Sequence, residues 1–151
     1  VKFKRQISRS DRKVWNWLNK IAKPNPKIGN NSVCPYINSY KDNIMVVQTA
    51  TPWVVIDSFS TFKDIFKLEA VVIHGFDWDF DTMHSHIDTW NKKYKKRDVF
   101  VLGMHPDTEE PPLPLEYNYS KPLIIVQKHS TLKQARHKLA KTTDYYTYHS
   151  S

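Results

Sequence analysis

The sequence predicts an α+β fold: one small domain, a mixed four-stranded sheet packed with helices, in the order α-β-α-β-α-β-β-α. Three observations carry this. Phe80, Met83, Ile87, Trp90 and Tyr94 recur at spacings of three, four, three and four, the period of a helix with one buried face. Short β-branched or apolar runs at Asn43–Gln48, Ala70–Gly75 and Leu123–Gln127 are too brief for helices and suit strands. The 151 residues are 40% hydrophobic and 25% charged, enough to build a core. That composition excludes a disordered chain, a collagen and a disulfide scaffold. Apolar runs such as Leu123–Val126 fall far short of the roughly 18–20 residues that span a bilayer.

Residues 1–13 read as a basic arm, 14–141 as the domain and 142–151 as a polar, Tyr-rich tail. In the first helix Asp11 is the expected cap, and Trp15, Leu18 and Ala22 mark an apolar face that also draws on Val14, Trp17 and Ile21. It should end before Pro24. Residues 23–31 are loop by composition. Pro52–Glu69 leaves two alternatives at Trp53–Ile56, strand or first helical turn. Phe59, Phe62, Ile65 and Phe66 then have helical spacing, with Ser58 or Ser60 as cap. Asp79 or Asp81 opens the next helix, whose last turn is Lys- and Arg-rich, as the helix dipole favours. Asp98–Met104 is a strand. His105–Lys121 is a long Pro-rich connection of the kind that often carries function. Ser130 or Thr131 caps a closing helix with Leu132, Ala135 and Leu139 on one face.

The net charge of +8 is concentrated at one end. Residues 1–27 hold nine cations and only Asp11 as anion, while the rest holds fourteen of each sign. Lys2, Lys4, Arg5, Arg9, Arg12 and Lys13 are therefore candidate nucleic-acid contacts, and an acidic protein is the other partner this arm suits. Trp15, Trp17, Tyr36 and Tyr40 interleave rings with these charges, a combination suited to single strands. With three glycines the chain has no phosphate-cradling loop. No cofactor is implied.

Cys34 is the lone cysteine, so no internal disulfide forms and a cytoplasmic setting is expected. The opening residues lack a signal-peptide core. The chain opens on Val, which allows for a longer natural N-terminus. Its Lys-, Asn-, Ile- and Tyr-rich, Gly-poor composition suits an AT-rich genome such as that of a phage or virus.

Two clusters carry chemistry. His74, His84 and His86 with Asp77, Asp79, Asp81 and Asp88 are ligand-type side chains, but His84 and His86 are two apart on a helix and diverge, so no metal site is assigned. The acidic run lacks the Gly and distal Glu of a calcium loop. Cys34 becomes a nucleophile if a base lowers its pKa. His105 is the candidate base, with Asp107, Asn118 or His129 to orient it, in a thiol–imidazole site for a small molecule.

The run Trp17-Leu18 followed by Val33-Cys34-Pro35-Tyr36 resembles the opening of the uncharacterised bacterial domain-of-unknown-function family fourteen-fifteen. Val71–Phe76 with Asp79-Phe80 is similar to its second strand and helix start. Phe100–Asp107 is similar to its strand ending in Phe-His-Pro-Asp. Asn118, Pro122-Leu123 and Thr131–Leu139 fit its closing segment. Tyr36 stands where the family has Phe, and the family's Arg before its Ser-Pro is missing. The resemblance implies a shared site at Cys34, His105, Asp107 and Asn118.

Overall fold

A computed structural model describes residues 8–26, 31–32, 36–108 and 118–142. Helix α1 (Arg9–Ala22) starts earlier than the sequence suggests, so Arg9, Arg12 and Lys13 belong to a helix and not to an arm. Its cap is Ser8, whose hydroxyl accepts from the Asp11 amide, which frees the Asp11 carboxylate for another partner. The buried seam is Val14, Trp17, Leu18, Ile21 and Ala22, with Trp15 at its margin. Two short strands pair antiparallel, β1 (Pro24–Asn25) with β2 (Asn31–Ser32). Helix α2 (Tyr36–Tyr40), where no helix is expected, and a 3-10 turn at Lys41–Asn43 lead into β3 (Ile44–Gln48).

Helix α3 (Pro52–Phe62) settles the open alternative at Trp53–Ile56 as helix. Pro52 sits in its first turn, where its missing N–H costs nothing and its fixed φ helps. Ser58 and Ser60 lie inside this helix and cap nothing. Strand β4 (Ala70–His74) follows, then α4 (Phe80–Lys93), capped by Asp79, then β5 (Val99–Met104). Strand β6 (Leu123–Lys128) and α5 (His129–Thr142) close the chain. Neither Ser130 nor Thr131 caps α5. Asp98, held at φ 58, reaches across and its carboxylate accepts from the Ser130 amide and hydroxyl, each at 2.6 Å.

The main sheet runs β3-β4-β6-β5, an α+β arrangement with helices on both sides. β3 and β4 are parallel; β6 is antiparallel to both its neighbours, β4 and β5. So β3, β4 and β5 all point the same way. Strand alternation splits the core in two. Val71, Ile73, Val99, Val101, Ile124 and Val126 pack on α3 and α4, through Ile56, Phe59, Met83, Ile87, Trp90 and Tyr94. Val72 and Leu123 face α1 and Ile37. Each fully buried aliphatic side chain stabilises the fold by roughly 1.5–3 kcal/mol. At the β5 edge Asn91 gives its amide to the Val101 carbonyl and accepts the Val101 N–H, at 2.9 and 2.8 Å. A side chain from α4 thus does what a missing neighbour strand would do. Among the described residues no helix is long and apolar enough to cross a membrane.

Candidate functional site

Because β3, β4 and β5 share a direction, their carboxyl ends gather at one edge of the sheet, where open α/β sheets tend to bind ligands. Three features meet there. The first is a hydrogen-bonded couple under α1. His74 ends β4 on the α1 side, 5% exposed, and its Nε2 lies 2.5 Å from Asp11 Oδ1. An ionised carboxylate only accepts, so this Nε2 carries the proton. Next to it Ser10 Oγ donates to Gln48 Oε1 at 2.8 Å, tying the first turn of α1 to the end of β3. Gly75 makes the turn after His74 at φ 91, and a Cβ there would lie 2.7 Å from Gln48 Cγ.

The second feature is His105, 7% exposed, just past β5 on the α4 side. Its Nδ1 accepts from the Asp107 amide at 3.1 Å, so Nε2 bears the hydrogen and donates to the Trp78 carbonyl at 2.8 Å. Phe80 meets its ring edge-on. Both nitrogens are engaged, so His105 has no spare acceptor for a thiol, and its visible work is to hold the loop carrying Trp78. What Asp107 supplies is its amide; the carboxylate is exposed and stands 3.7 Å from Nδ1. Asn118 is half-buried and, among the described residues, makes no hydrogen bond with either. Cys34, and Lys2, Lys4 and Arg5, lie outside the described residues.

The third feature is an aromatic ladder that sequence reading missed. Trp53, in the first turn of α3, lies parallel to Trp78 within 6° at a centroid distance of 6.2 Å. Behind Trp78 come His86 at 4.7 Å and Trp90 at 6.0 Å, while Phe76 tilts against it at 5.2 Å. The ladder runs from buried Trp90 to Trp53, which is 48% exposed. The one sequence signal was an indole set in the polar turn Gly75-Phe76-Asp77-Trp78-Asp79. His84 instead lies against Phe80, and His129 stacks on Phe100 far from His105. Among the described residues no group of three or more His, Cys, Asp or Glu could hold a metal ion.

Asp79 opens α4 beneath this ladder. Hydrogen bonding to Thr82, by hydroxyl and by amide, holds its carboxyl below the ordinary 3.8. A depressed folded value stabilises the fold above the unfolded value and loses that effect as pH falls through the folded one. Asp79→Ala should therefore lower Tm by a constant amount at neutral pH, and the gap to wild type should narrow below pH 3.8. Thermal melts of both proteins across pH check this; a gap of the same size at every pH would deny the ionised carboxylate its part in the cap.

No protein-family model, curated protein or solved structure matches this chain.

Proposed function

We propose that the protein is a nucleic-acid-binding accessory protein whose primary contact is the outer face of α1. The observation that carries this is the inward turn of Asp11 to His74. It withdraws the one anion of residues 1–27 from the surface. Arg9, Arg12, Lys13, Lys20 and Lys23 are all exposed. At 100° per residue they fall, with Asn16, in a stripe about 100° wide, opposite the seam of Val14, Trp17, Leu18 and Ile21. A 14-residue helix is about 21 Å long, so the stripe matches the rise of about six stacked base pairs.

A thiol–imidazole reading draws no support from His105, whose ring nitrogens are both engaged. Nor does the proposal use the resemblance to family fourteen-fifteen, which brings no function with it.

Replacing Arg9, Arg12 and Lys13 together by Ala should leave the melting temperature unchanged, because all three are exposed. Affinity should fall, and the slope of log K against log salt should shrink by about 2 on a single strand or about 3 on a duplex, from roughly 0.7 or 0.9 per phosphate. Fluorescence anisotropy at several salt concentrations reads both. An unaltered affinity and slope would refute the proposal. Salt-sensitive binding to a polyglutamate peptide with none to nucleic acid would assign the face to an acidic protein instead.

A further inference from the structure

The aromatic ladder and the basic helix come to the same sheet edge, and that juxtaposition names a substrate class. We infer that the bound nucleic acid is single-stranded and that one of its bases stacks on Trp53. The inference rests on the reading of α1 as the phosphate contact.

Trp53 is a large apolar ring left 48% exposed beside a core that could have covered it. It is nonetheless held in place. Trp78 backs it in parallel, Trp78 rests on His86 and buried Trp90, and the Trp78 carbonyl is fixed by His105. A ring already immobilised loses little freedom when a ligand arrives, which is what a stacking platform needs. The indole lies parallel to Trp78, and its exposed half is what it can offer to a flat partner.

Position points to the same partner. Gln48 ends β3 and accepts the hydroxyl of Ser10 in the first turn of α1. Five residues later the chain reaches Trp53, at the start of α3. Helices α1 and α3 pack on opposite faces of the sheet but both begin at this end of β3, so a strand leaving the first turn of α1 rounds the sheet edge to reach the indole. A strand whose phosphates lie along Arg9, Arg12 and Lys13 can lay a base on Trp53 as it leaves the helix. Bases inside a duplex are stacked on each other and offer no face, so the strand must be single. A neutral sugar ring also stacks on indole, but it gains nothing from the cations beside it.

The test compares the full chain with Trp53→Ala, Trp53→Phe and the Arg9/Arg12/Lys13 triple Ala variant. The probes are a mixed-sequence 12-nucleotide single strand, the same sequence as a duplex, and cellohexaose as a neutral glycan. Trp53→Ala should weaken single-strand binding roughly ten- to hundred-fold with the salt slope unchanged. Duplex binding should stay where it was, and Trp53→Phe should recover much of the loss. Binding should also quench tryptophan fluorescence in the wild type and less so in Trp53→Phe. Melting curves confirm that each variant folds. If Trp53→Ala and Trp53→Phe bind the single strand like wild type while the triple variant does not, the base-stacking inference falls and the α1 reading stands. Equal affinity for strand and duplex, or binding to cellohexaose that Trp53→Ala abolishes without touching nucleic-acid affinity, overturns the inference as well. A wild-type chain that binds neither nucleic acid overturns both.

Discussion

Gly103→Val is expected to destabilise the protein by about 3 kcal/mol or more, the upper end of what overpacking costs. Gly103 lies in β5 under α4. A Cβ at this position would sit 2.2 Å from Ile87 Cδ1 and 2.8 Å from Met83 Cε. Both are the ends of flexible side chains, but Met83 is fully buried and Ile87 5% exposed, so neither has open space to retreat into. Either α4 lifts from the sheet or both side chains leave their rotamers. Gly103→Ala should cost less, about 1–2 kcal/mol, since one methyl can be met by a small shift. Pairing Gly103→Ala with Ile87→Val should return part of the loss, because the second change removes the nearest clashing atom. Urea unfolding of the four proteins measures this. A wild-type midpoint for Gly103→Val would mean that α4 does not press on β5 at this point.

The second large effect is expected at the couple between α1 and β4. His74→Ala removes the donor from an Asp11 carboxylate whose side chain is only 25% exposed. Leaving a partly buried carboxylate without its hydrogen-bond donor costs about 1–3 kcal/mol. The same change leaves a space behind a residue that closes β4. Asp11→Asn should cost less, since an amide oxygen still accepts from Nε2. The decisive number is the coupling in a cycle of Asp11→Ala, His74→Ala and the double variant, expected at or above about 1 kcal/mol. Additive losses would mean the two side chains are merely neighbours. Nucleic-acid affinity should change little in any of these variants, because Asp11 points away from the stripe.

How much was legible follows from where each residue finds its partner. The α4 helix could be read because its evidence is local. Asp79 caps three residues ahead, and Met83, Ile87, Trp90 and Tyr94 repeat on one face and are buried. The four strands of the main sheet could be read for the same reason, though β1 and β2 could not, and the α+β class followed. Asp11 could not. As a short carboxylate near a helix start it looks like a cap, yet its partner His74 is 63 residues away, and Ser8 had already taken the capping position. The α5 cap hid likewise, because Asp98 is 32 residues from Ser130. Trp53 and Trp78 meet only after α3 and β4 have been laid on the same sheet face. His105 was singled out as a candidate base for Cys34, whereas the partner it has among the described residues is a carbonyl 27 positions away that no side-chain pattern announces.

The place of β6 in the sheet has a consequence for how the chain is made. It is the last strand among the described residues, yet it lies between β4 and β5, hydrogen-bonded to both. Until residue 128 has left the ribosome, β5 has no strand to pair with, and β4 is bonded on one side only. The apolar faces of β4 and α1 that meet Leu123 wait with it. A nascent chain that has not yet reached Leu123 therefore holds its hydrophobic strands open, the condition in which edges find wrong partners. Closure of the sheet is deferred until β6 has emerged, and a chain cut off a few residues before Leu123 would yield two unjoined halves of a sheet.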